Sequence, residues 1–335
     1  MHWHLVSVSM RGMDSAIKKL EKAGLGEIIE DASMTPDHAQ KTGADYATNE
    51  AVKEVDRCSA KLWDVDKEQV CMIDKIHEAK VRKGEVQIFW LGQNSFVFKT
   101  SQDKLIALDI YLSRDPGLHY LHPEPPMRPE NCQFDYVFCT HDHLDHTDAI
   151  SLPIIAKNFP TATFFGTSES CEHMVNLGVD GNRVTSLKAR VTFEVDGFKV
   201  TPYFSISPDE VSEENKTTHF GYLFDIEGIR IYNMGDSSRA MLKNPSEVLE
   251  PVANASPHIA MLPILSDLLP HGIRKPEDTV IFAKLLSPEV VIPCHYNLWS
   301  GDTIDPQDFT KLFNSTKIRP VVIPYKGSYT YKAHS

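Results

Sequence analysis

The chain has 335 residues, a formal net charge of −12 and six scattered cysteines, a length that accommodates one large domain with an appended segment or two domains. The acidic balance argues against a nucleic-acid-binding surface, because phosphate recognition requires clustered basic residues. No apolar run reaches the length of a membrane helix, no secretory signal is recognisable and no C-x-x-C motif occurs, so we expect a cytoplasmic protein with reduced thiols.

Residues 1–84 are predicted to form a helical N-terminal extension. Apolar side chains recur at helical spacing in three segments, which begin near Asp14, Asn49 and Val70. The segment is charged and has no cluster of metal-ligating side chains, and helical charge runs are usually solvated faces. We therefore expect these helices to pack on the main body or on a neighbouring subunit rather than to take part in chemistry.

Residues 85–335 are predicted to form one layered α+β domain, because strand patterns alternate with helical patterns. The predicted strands are Val86–Leu91, Ser95–Lys99, Leu105–Ile110, Phe134–Cys139, Ala162–Phe165, Phe198–Phe204, His219–Asp225, Ile229–Met234, Ile259–Pro263, Val290–Pro293 and Val321–Pro324. The predicted helices are Asp148–Asn158, Ser168–Leu177, Pro276–Leu286 and Pro306–Phe313. A Pro-rich loop spans Arg114–Asn131.

One motif constrains the chemistry more than any other. Residues 140–146 read Thr-His-Asp-His-Leu-Asp-His and directly follow the apolar run Phe134–Cys139. A buried strand that ends in a loop can turn several of these side chains toward one point, which helical spacing does not allow. Imidazole and carboxylate groups are ligands that suit zinc, iron and manganese. The motif therefore predicts a metal site, and the alternative is a loop of surface histidines.

Two further predicted strands also end in a polar residue. One ends with Gly235 and Asp236, where the glycine permits a sharp turn, and the other ends at His295. Each of these residues alone is typical of an ordinary turn or loop. Three strand ends at one sheet edge favour a shared site, because sites in open sheets form beyond the carboxyl ends of strands.

These motifs together resemble the metallo-β-lactamase superfamily, and within it most closely the L-ascorbate-6-phosphate lactonase group. The resemblance covers residue 86 to the end and rests on Phe89–Gly92, Thr140–Asp148, Gly235–Ser237, Val290–Ser300 and Asp305–Pro306. It implies a four-layer αββα sandwich with metal ions held at one edge of two sheets. It also implies a homo-oligomer, in which the N-terminal helices could mediate contacts.

The resemblance further implies a site for one or two divalent metal ions, Mn²⁺ or Zn²⁺. The positions that match metal ligands of the superfamily are His141 and His143 for the first ion, Asp145, His146 and His295 for the second, and Asp236 as a bridge. Asp109, which ends an earlier strand, matches an aspartate that steadies the histidine loop through hydrogen bonds.

One part of the family pattern is missing from the sequence. The superfamily usually supplies a third histidine to the first ion from a loop before the bridging aspartate, but residues 203–209 contain none. His219 lies ten residues beyond that stretch and could substitute, or it could be an ordinary strand histidine. The first position could also be open or completed by water.

The expected reaction follows from this site. A hydroxide held by a divalent metal is a strong nucleophile at neutral pH, and Asp145 and Asp236 would orient it and could accept a proton. We expect hydrolysis of a lactone or small polar ester, such as a sugar-acid phosphate lactone, with no nucleic-acid or membrane partner. The motivation for a lactone is the lactonase-like Trp299 and Asp305–Pro306. The sequence has neither a G-x-S-x-G nucleophile motif nor a phosphate-binding glycine loop.

Several alternatives stay open. The same fold serves phosphodiesterases, and the missing third histidine is compatible with a non-catalytic protein that has a vestigial metal site. A redox di-iron centre is disfavoured, since by resemblance such sites place glutamate where His143 stands. Basic side chains in two loops either bind an anionic substrate group or are solvated surface; these are Arg114, His119, His122, Arg128, His271, Arg274 and Lys275.

Overall fold

A computed structural model describes residues 72–206, 217–237, 239–264, 276–300 and 303–333 of the chain. Most of the predicted N-terminal extension lies outside these residues. Its last part forms helix α1, Met72–Glu78, whose Ile73 and Ile76 share an apolar cluster with Phe89 of the first strand. The Lys99 ammonium group donates to the carbonyl oxygen of Ile76 at 3.0 Å. Helix α1 therefore packs as part of the main domain.

The first sheet has seven strands in the order β14-β1-β2-β3-β4-β5-β6. Their bounds are β1 Glu85–Trp90, β2 Phe96–Lys99, β3 Leu105–Leu108, β4 Tyr136–Phe138, β5 Thr163–Gly166, β6 Val184–Ser186 and β14 Ser328–Lys332. Strands β3 to β6 run parallel, whereas β14, β1, β2 and β3 pair antiparallel. The carboxyl ends of β3 and β4 therefore lie at the same edge.

The second sheet also has seven strands, in the order β13-β12-β11-β10-β9-β8-β7. Their bounds are β7 Phe193–Val195, β8 Phe198–Phe204, β9 Phe220–Ile226, β10 Ile229–Asn233, β11 Ile259–Pro263, β12 Val290–Cys294 and β13 Arg319–Pro320. Strands β10, β11 and β12 pair in parallel. The strand ends that precede Asp236 and His295 therefore lie at one edge, as the sequence predicts.

The sheets stack face to face because their side chains alternate. On β2 and β4 the inward residues Phe98 and Phe138 pack against Phe224 of the second sheet, with ring centroids 5.2 and 5.1 Å apart. The alternate residues Val97 and Val137 belong to a second apolar cluster, on the helical side of the first sheet.

Helices cover the outer face of each sheet. Besides α1, they are α2 Ser151–Asn158, α3 Ser168–Asn176, α4 Pro245–Asn254, α5 Pro276–Leu286 and α6 Pro306–Lys311. Buried residues of α2 and α3 pack in the cluster on the first sheet, and those of α4 and α5 extend the core on the second sheet. The fold is the predicted four-layer αββα sandwich. Among the residues that the structure describes, no helix combines the length and apolar character that a membrane crossing requires.

The structure corrects several element predictions. Strand β3 ends at Leu108 rather than at Ile110, because Asp109 adopts a left-handed backbone with φ +46°. The predicted strand Val321–Pro324 is wrong, since the last strand of that sheet is Arg319–Pro320. Strands β6, β7 and β14 and helix α4 were not predicted. Helix α4 contains Pro251, which masks a helical pattern, and β6 and β7 have only three residues each.

Candidate metal centre

The loop after β4 folds back on itself and so aims its side chains at one place. The backbone nitrogens of His146 and Thr147 both donate to the carbonyl oxygen of His143, at 3.0 and 2.8 Å. The Thr147 hydroxyl donates to the carbonyl oxygen of His141 at 2.8 Å. Asp148 at the end of the loop accepts the backbone N–H groups of Leu112 and of Ser113, each at 2.9 Å. These bonds hold the motif in one conformation.

The first group of potential ligands consists of His141, His143 and His219, with one ring nitrogen from each within 4.8 Å of the others. The Nε2 of His141 lies 2.8 Å from Nδ1 of His143, and the His219 ring stacks on His141 with centroids 3.9 Å apart. The structure therefore brings His219 to the position where the sequence has no loop histidine.

His219 also provides the test of whether a metal fits. Its side chain is 3% exposed, yet neither ring nitrogen has a hydrogen-bond partner. Buried polar atoms are nearly always partnered, because leaving one unpaired costs about 1–3 kcal/mol. In a neutral imidazole one ring nitrogen carries a lone pair, and a divalent cation among the three imidazoles would give that nitrogen of His219 a partner.

The second group consists of Asp145, His146 and His295. The two Nε2 atoms of His146 and His295 are 3.1 Å apart, and Asp145 Oδ2 lies 3.6 and 3.5 Å from them. Ligand atoms around a tetrahedral zinc with bonds of about 2.1 Å are separated by about 3.4 Å. The spacing of the second group therefore also suits a cation.

Asp236 lies between the two groups. Its Oδ2 is 3.6 Å from His141 Nε2, whereas its Oδ1 is 2.8 Å from His295 Nε2 without the geometry of a hydrogen bond. One carboxylate oxygen thus faces each group, which is the arrangement of a bridging ligand. Gly235 makes the turn that permits it, at φ +63°, and a Cβ there would lie 2.9 Å from the carbonyl oxygen of Phe220.

Asp109 orients the histidine loop, in agreement with the role that the resemblance implies. Its Oδ2 accepts a hydrogen bond from His146 Nδ1 at 2.6 Å. The same carboxylate accepts the backbone N–H and the hydroxyl of Thr140, each at 2.7 Å. Because Nδ1 of His146 donates to Asp109, Nε2 is the ring nitrogen that faces the site.

Charge differs between the two groups. Burial lowers the pKa of His219 to about 3 and that of His141 well below the usual histidine range, so both rings are neutral lone-pair donors. Burial also lowers the pKa of His295, but Asp236 and Asp145 outweigh it and raise the pKa to about 9. Without a metal, the second group therefore holds protons that a cation would displace.

Three residues of the site were missed by the sequence analysis. The turn between β1 and β2 contains Gln93, Asn94 and Ser95, which are 2%, 0% and 1% exposed. Asn94 donates to Asp109 Oδ2 at 2.7 Å, and the Ser95 hydroxyl donates to the Asp109 carbonyl oxygen. Gln93 donates to Asp145 Oδ2 at 2.6 Å. Three consecutive polar residues in an apolar hairpin were the available signal.

The basic residues of the two loops, which the sequence analysis considered as binding groups for an anion, differ in their surroundings. Arg114 donates to the carbonyl oxygens of Ser113 and His122, at 2.8 and 3.0 Å, so it braces its own loop. The His122 ring stacks on Tyr325 with centroids 3.8 Å apart. His119 and Arg128 are exposed. His271, Arg274 and Lys275 lie outside the described residues.

The residues that carry the resemblance to the lactonase group have structural roles. Asp305 Oδ1 accepts the Gln307 N–H at 2.9 Å and so caps α6, with Pro306 in its first turn. Trp299 forms an isolated antiparallel bridge with Tyr120 of the Pro-rich loop. These contacts show how residues 299–307 and the Pro-rich loop are held in place, but they do not identify a substrate.

Replacing His219 with alanine is expected to weaken zinc binding at the first group and leave the second group able to bind. The affinity loss is expected to be at least about 100-fold, because even outer partners of ligands are worth about 10–100-fold. Zinc titration of chelator-treated protein measures it. His77→Ala, on the exposed face of α1, is the matched control. Unchanged zinc stoichiometry and affinity in His219→Ala would contradict the assignment.

Comparison with known proteins agrees with this geometry. A family model described as the beta-lactamase superfamily domain matches residues 87–295. A UPF0173 metal-dependent hydrolase of Staphylothermus marinus is 31% identical over 253 residues, which are 73% of this chain and 98% of the relative. One of Methanopyrus kandleri is 28% identical over 232 residues, which are 68% and 90% of the two chains. These relatives are described only as metal-dependent hydrolases, so they do not support the lactonase group specifically.

Solved structures show the same fold. An isothiocyanate hydrolase from Delia radicum gut bacteria aligns with a TM-score of 0.59 at 17% identity, over 74% of this chain and 100% of the other. Igni18, a metallo hydrolase from Ignicoccus hospitalis, aligns with a TM-score of 0.55 at 22% identity, over 75% and 100% of the two chains. From the matched family domain, and with the sheets and strand-end histidines described above, the chain belongs to the metallo-β-lactamase superfamily.

Proposed function

We propose that the protein is a metal-dependent hydrolase that acts on a small polar ester or lactone. The observation that carries this proposal is the pair of ligand groups joined by Asp236, with the buried ring nitrogens of His219 unpartnered. Divalent cations held there would lower the pKa of water and polarise the oxygen of the group under attack.

The donor set favours one of the two expected metals. The two groups and Asp236 offer five imidazoles and two carboxylates. Imidazole nitrogen suits zinc, whereas manganese prefers oxygen ligands. We therefore propose two Zn²⁺ ions, one held by His141, His143 and His219 and one by Asp145, His146 and His295, with Asp236 shared. Manganese is the alternative that the assays include.

Asp145 and Asp236 are the proposed catalytic carboxylates. Burial raises the pKa of Asp236, but the imidazoles of His295 and His146 outweigh burial and hold it well below the usual range. The pKa of Asp145 is lowered by the same two histidines against the effect of burial. Both carboxylates are therefore ionised at neutral pH and can accept hydrogen bonds from water. Because a low pKa also makes a weak base, their main contribution is to orient water.

The substrate proposal rests on sequence similarity and charge rather than on a bound ligand. The net charge of −12 disfavours long polyanions, because their binding needs a basic surface. The lactone is supported by the resemblance at residues 299–306. A cytoplasmic location and a homo-oligomeric assembly, both expected from the sequence, stay predictions.

The substrate class is tested with purified full-length protein loaded with zinc or manganese. The panel contains sugar lactone phosphates, nitrophenyl esters and bis-nitrophenyl phosphate. We expect metal-dependent turnover of the lactone or ester substrates and much slower turnover of the phosphodiester. Turnover of the phosphodiester alone would replace the ester proposal with a phosphodiesterase. No turnover by protein that binds metal would leave a non-catalytic metal protein.

A further inference from the structure

The turn between β1 and β2 has an unusual backbone for its residues. Gly92 and Gln93 both adopt positive φ, at +100° and +51°. Glycine does so without penalty, but a long side chain rarely takes this conformation in the absence of compensating contacts. The backbone N–H of Ser95 donates to the Gly92 carbonyl oxygen at 2.9 Å and closes the turn. The strained backbone of Gln93 therefore indicates that its side chain makes contacts that offset the strain.

The contacts of Gln93 join two potential ligands of the second group. Its side-chain nitrogen donates to Asp145 Oδ2 at 2.6 Å. Its backbone carbonyl oxygen, which no side-chain substitution removes, accepts the backbone N–H of His295 at 2.9 Å and the indole N–H of Trp90 at 2.9 Å. The amide nitrogen also lies 3.1 and 2.9 Å from the two ring nitrogens of His295. One buried residue thus touches both Asp145 and His295.

The direction of the amide follows from the contact with the carboxylate. A carboxylate oxygen is an acceptor, so the side-chain oxygen of Gln93 placed 2.6 Å from Asp145 Oδ2 would be repelled. The N–H end must therefore face the carboxylate. Glutamate at this position would bring two carboxylates together, and asparagine would fall one methylene short. Glutamine has both the length and the neutral donor that the contact requires.

The same contacts connect three separate parts of the chain. Gln93 lies in a hairpin turn of the first sheet, Asp145 lies in the loop after β4, and His295 follows β12 of the second sheet. His295 itself has a left-handed backbone, at φ +58°, and the bond from its backbone N–H to the backbone carbonyl oxygen of Gln93 helps to hold that conformation. His146, the third member of the second group, is oriented separately by Asp109.

We propose that Gln93 is the positioning residue of the second metal position. Its side-chain amide fixes the Asp145 carboxylate and lies against the His295 ring, and its backbone carbonyl oxygen holds the backbone that presents His295. Among the residues that the structure describes, no hydrogen bond joins Gln93 to a member of the first group, so its effect is confined to the second. This inference rests on the metal centre of the proposed function but not on any substrate.

The test is a zinc titration of chelator-treated, full-length protein, in which isothermal calorimetry measures the affinity and the number of bound ions. Wild type is expected to bind two equivalents. Gln93→Met removes the amide, and it is expected to weaken one equivalent by about 10–100-fold, as loss of an outer partner of a ligand typically does. The other equivalent is expected to keep its affinity. His219→Ala shows which equivalent belongs to the first group, because it weakens the complementary one.

A second variant separates positioning from damage to the fold. Gln93→Asn suits the left-handed backbone better than glutamine, yet its amide does not reach Asp145. It is expected to weaken the same single equivalent. Gln133→Met, the same change at an exposed position, is the matched control and is expected to bind like wild type. Cobalt substitution supplies an independent spectrum for each position.

Distinct outcomes overturn the inference and the proposed function. Wild-type affinity for both equivalents in Gln93→Met and Gln93→Asn would overturn the inference, and so would equal weakening of both equivalents. A wild-type protein that binds no zinc or cobalt would overturn both proposals. Protein that shows the expected titrations but hydrolyses nothing in the substrate panel would overturn the function alone.

Discussion

Replacing Asp236 with asparagine is expected to lower kcat/KM by at least about 1,000-fold, the scale of losing a group that acts mainly in the transition state. Asp236 faces the first group with Oδ2 and the second group with Oδ1. Asparagine keeps the shape but replaces one of these oxygens with an NH₂ group, which cannot bind a cation. It also removes the negative charge shared by the two positions.

The same variant is expected to retain its fold and to lose zinc. The Asp236 side chain is 20% exposed, and the turn before it depends on Gly235, which is unchanged. Circular dichroism, metal analysis and steady-state kinetics on the best substrate of the panel measure the three quantities. Asp308→Asn, at a surface ion pair with Lys311, is the control. Wild-type turnover or full zinc content in Asp236→Asn would show that Asp236 does not bridge.

Removing the metal is expected to abolish turnover and lower the melting temperature, and adding zinc back is expected to restore both. A ligand present at 100 times its Kd stabilises the folded state by about 2.7 kcal/mol. For a domain of this size, each kcal/mol shifts the midpoint by roughly 2–4 °C. A shift of about 5–10 °C is therefore expected for each ion bound at this excess. Differential scanning fluorimetry with and without chelator measures the shift. An unchanged midpoint would argue against a cation between the two groups.

The pH dependence of zinc binding follows from the same site. In the metal-free protein, carboxylates raise the pKa of His295 to about 9 and the pKa of His146 well above its usual value. Both rings are therefore positively charged imidazolium groups at neutral pH, and zinc must displace one proton from each ring. Apparent affinity should rise with pH up to about 9, by as much as tenfold per unit for each proton released. Calorimetry in two buffers with different ionisation enthalpies counts the protons. Zinc binding without proton release would contradict these protonation states.

Parts of the site could be predicted from the sequence because they depend on residues that are close together in the chain. Residues 140–146 concentrate three imidazoles and two carboxylates directly after a buried strand, and the pair Gly235–Asp236 combines a sharp turn with a ligand. Such patterns need only the strand period and the preferences of turn residues to be interpreted. The prediction that three strand ends meet also holds. Strands β10 and β12 are both parallel to β11 in the second sheet, and the loop after β4 of the first sheet reaches them, with His146 Nε2 3.1 Å from His295 Nε2.

Other parts were beyond the sequence. His219 follows a stretch with no ligand motif, and only the packing of its ring on His141 distinguishes it from an ordinary strand histidine. Likewise, the N–H of Gln93 reaches Asp145 across 52 positions of the chain. Short edge strands such as β6 were not predicted, because three residues are too few to show a recognisable periodicity.

The sequence by itself therefore determined the layered α+β architecture, the histidine loop and the identity of six of the seven converging side chains. Asp109 was also predicted, by resemblance, as the residue that steadies the histidine loop. Only the tertiary structure decided which side chains share a position, that His219 is the seventh, and that Gln93 contacts both Asp145 and His295. The physical reason is distance along the chain. Spacing in sequence reports contacts within one element, whereas a metal centre is assembled from strand ends that are brought together only when two sheets pack.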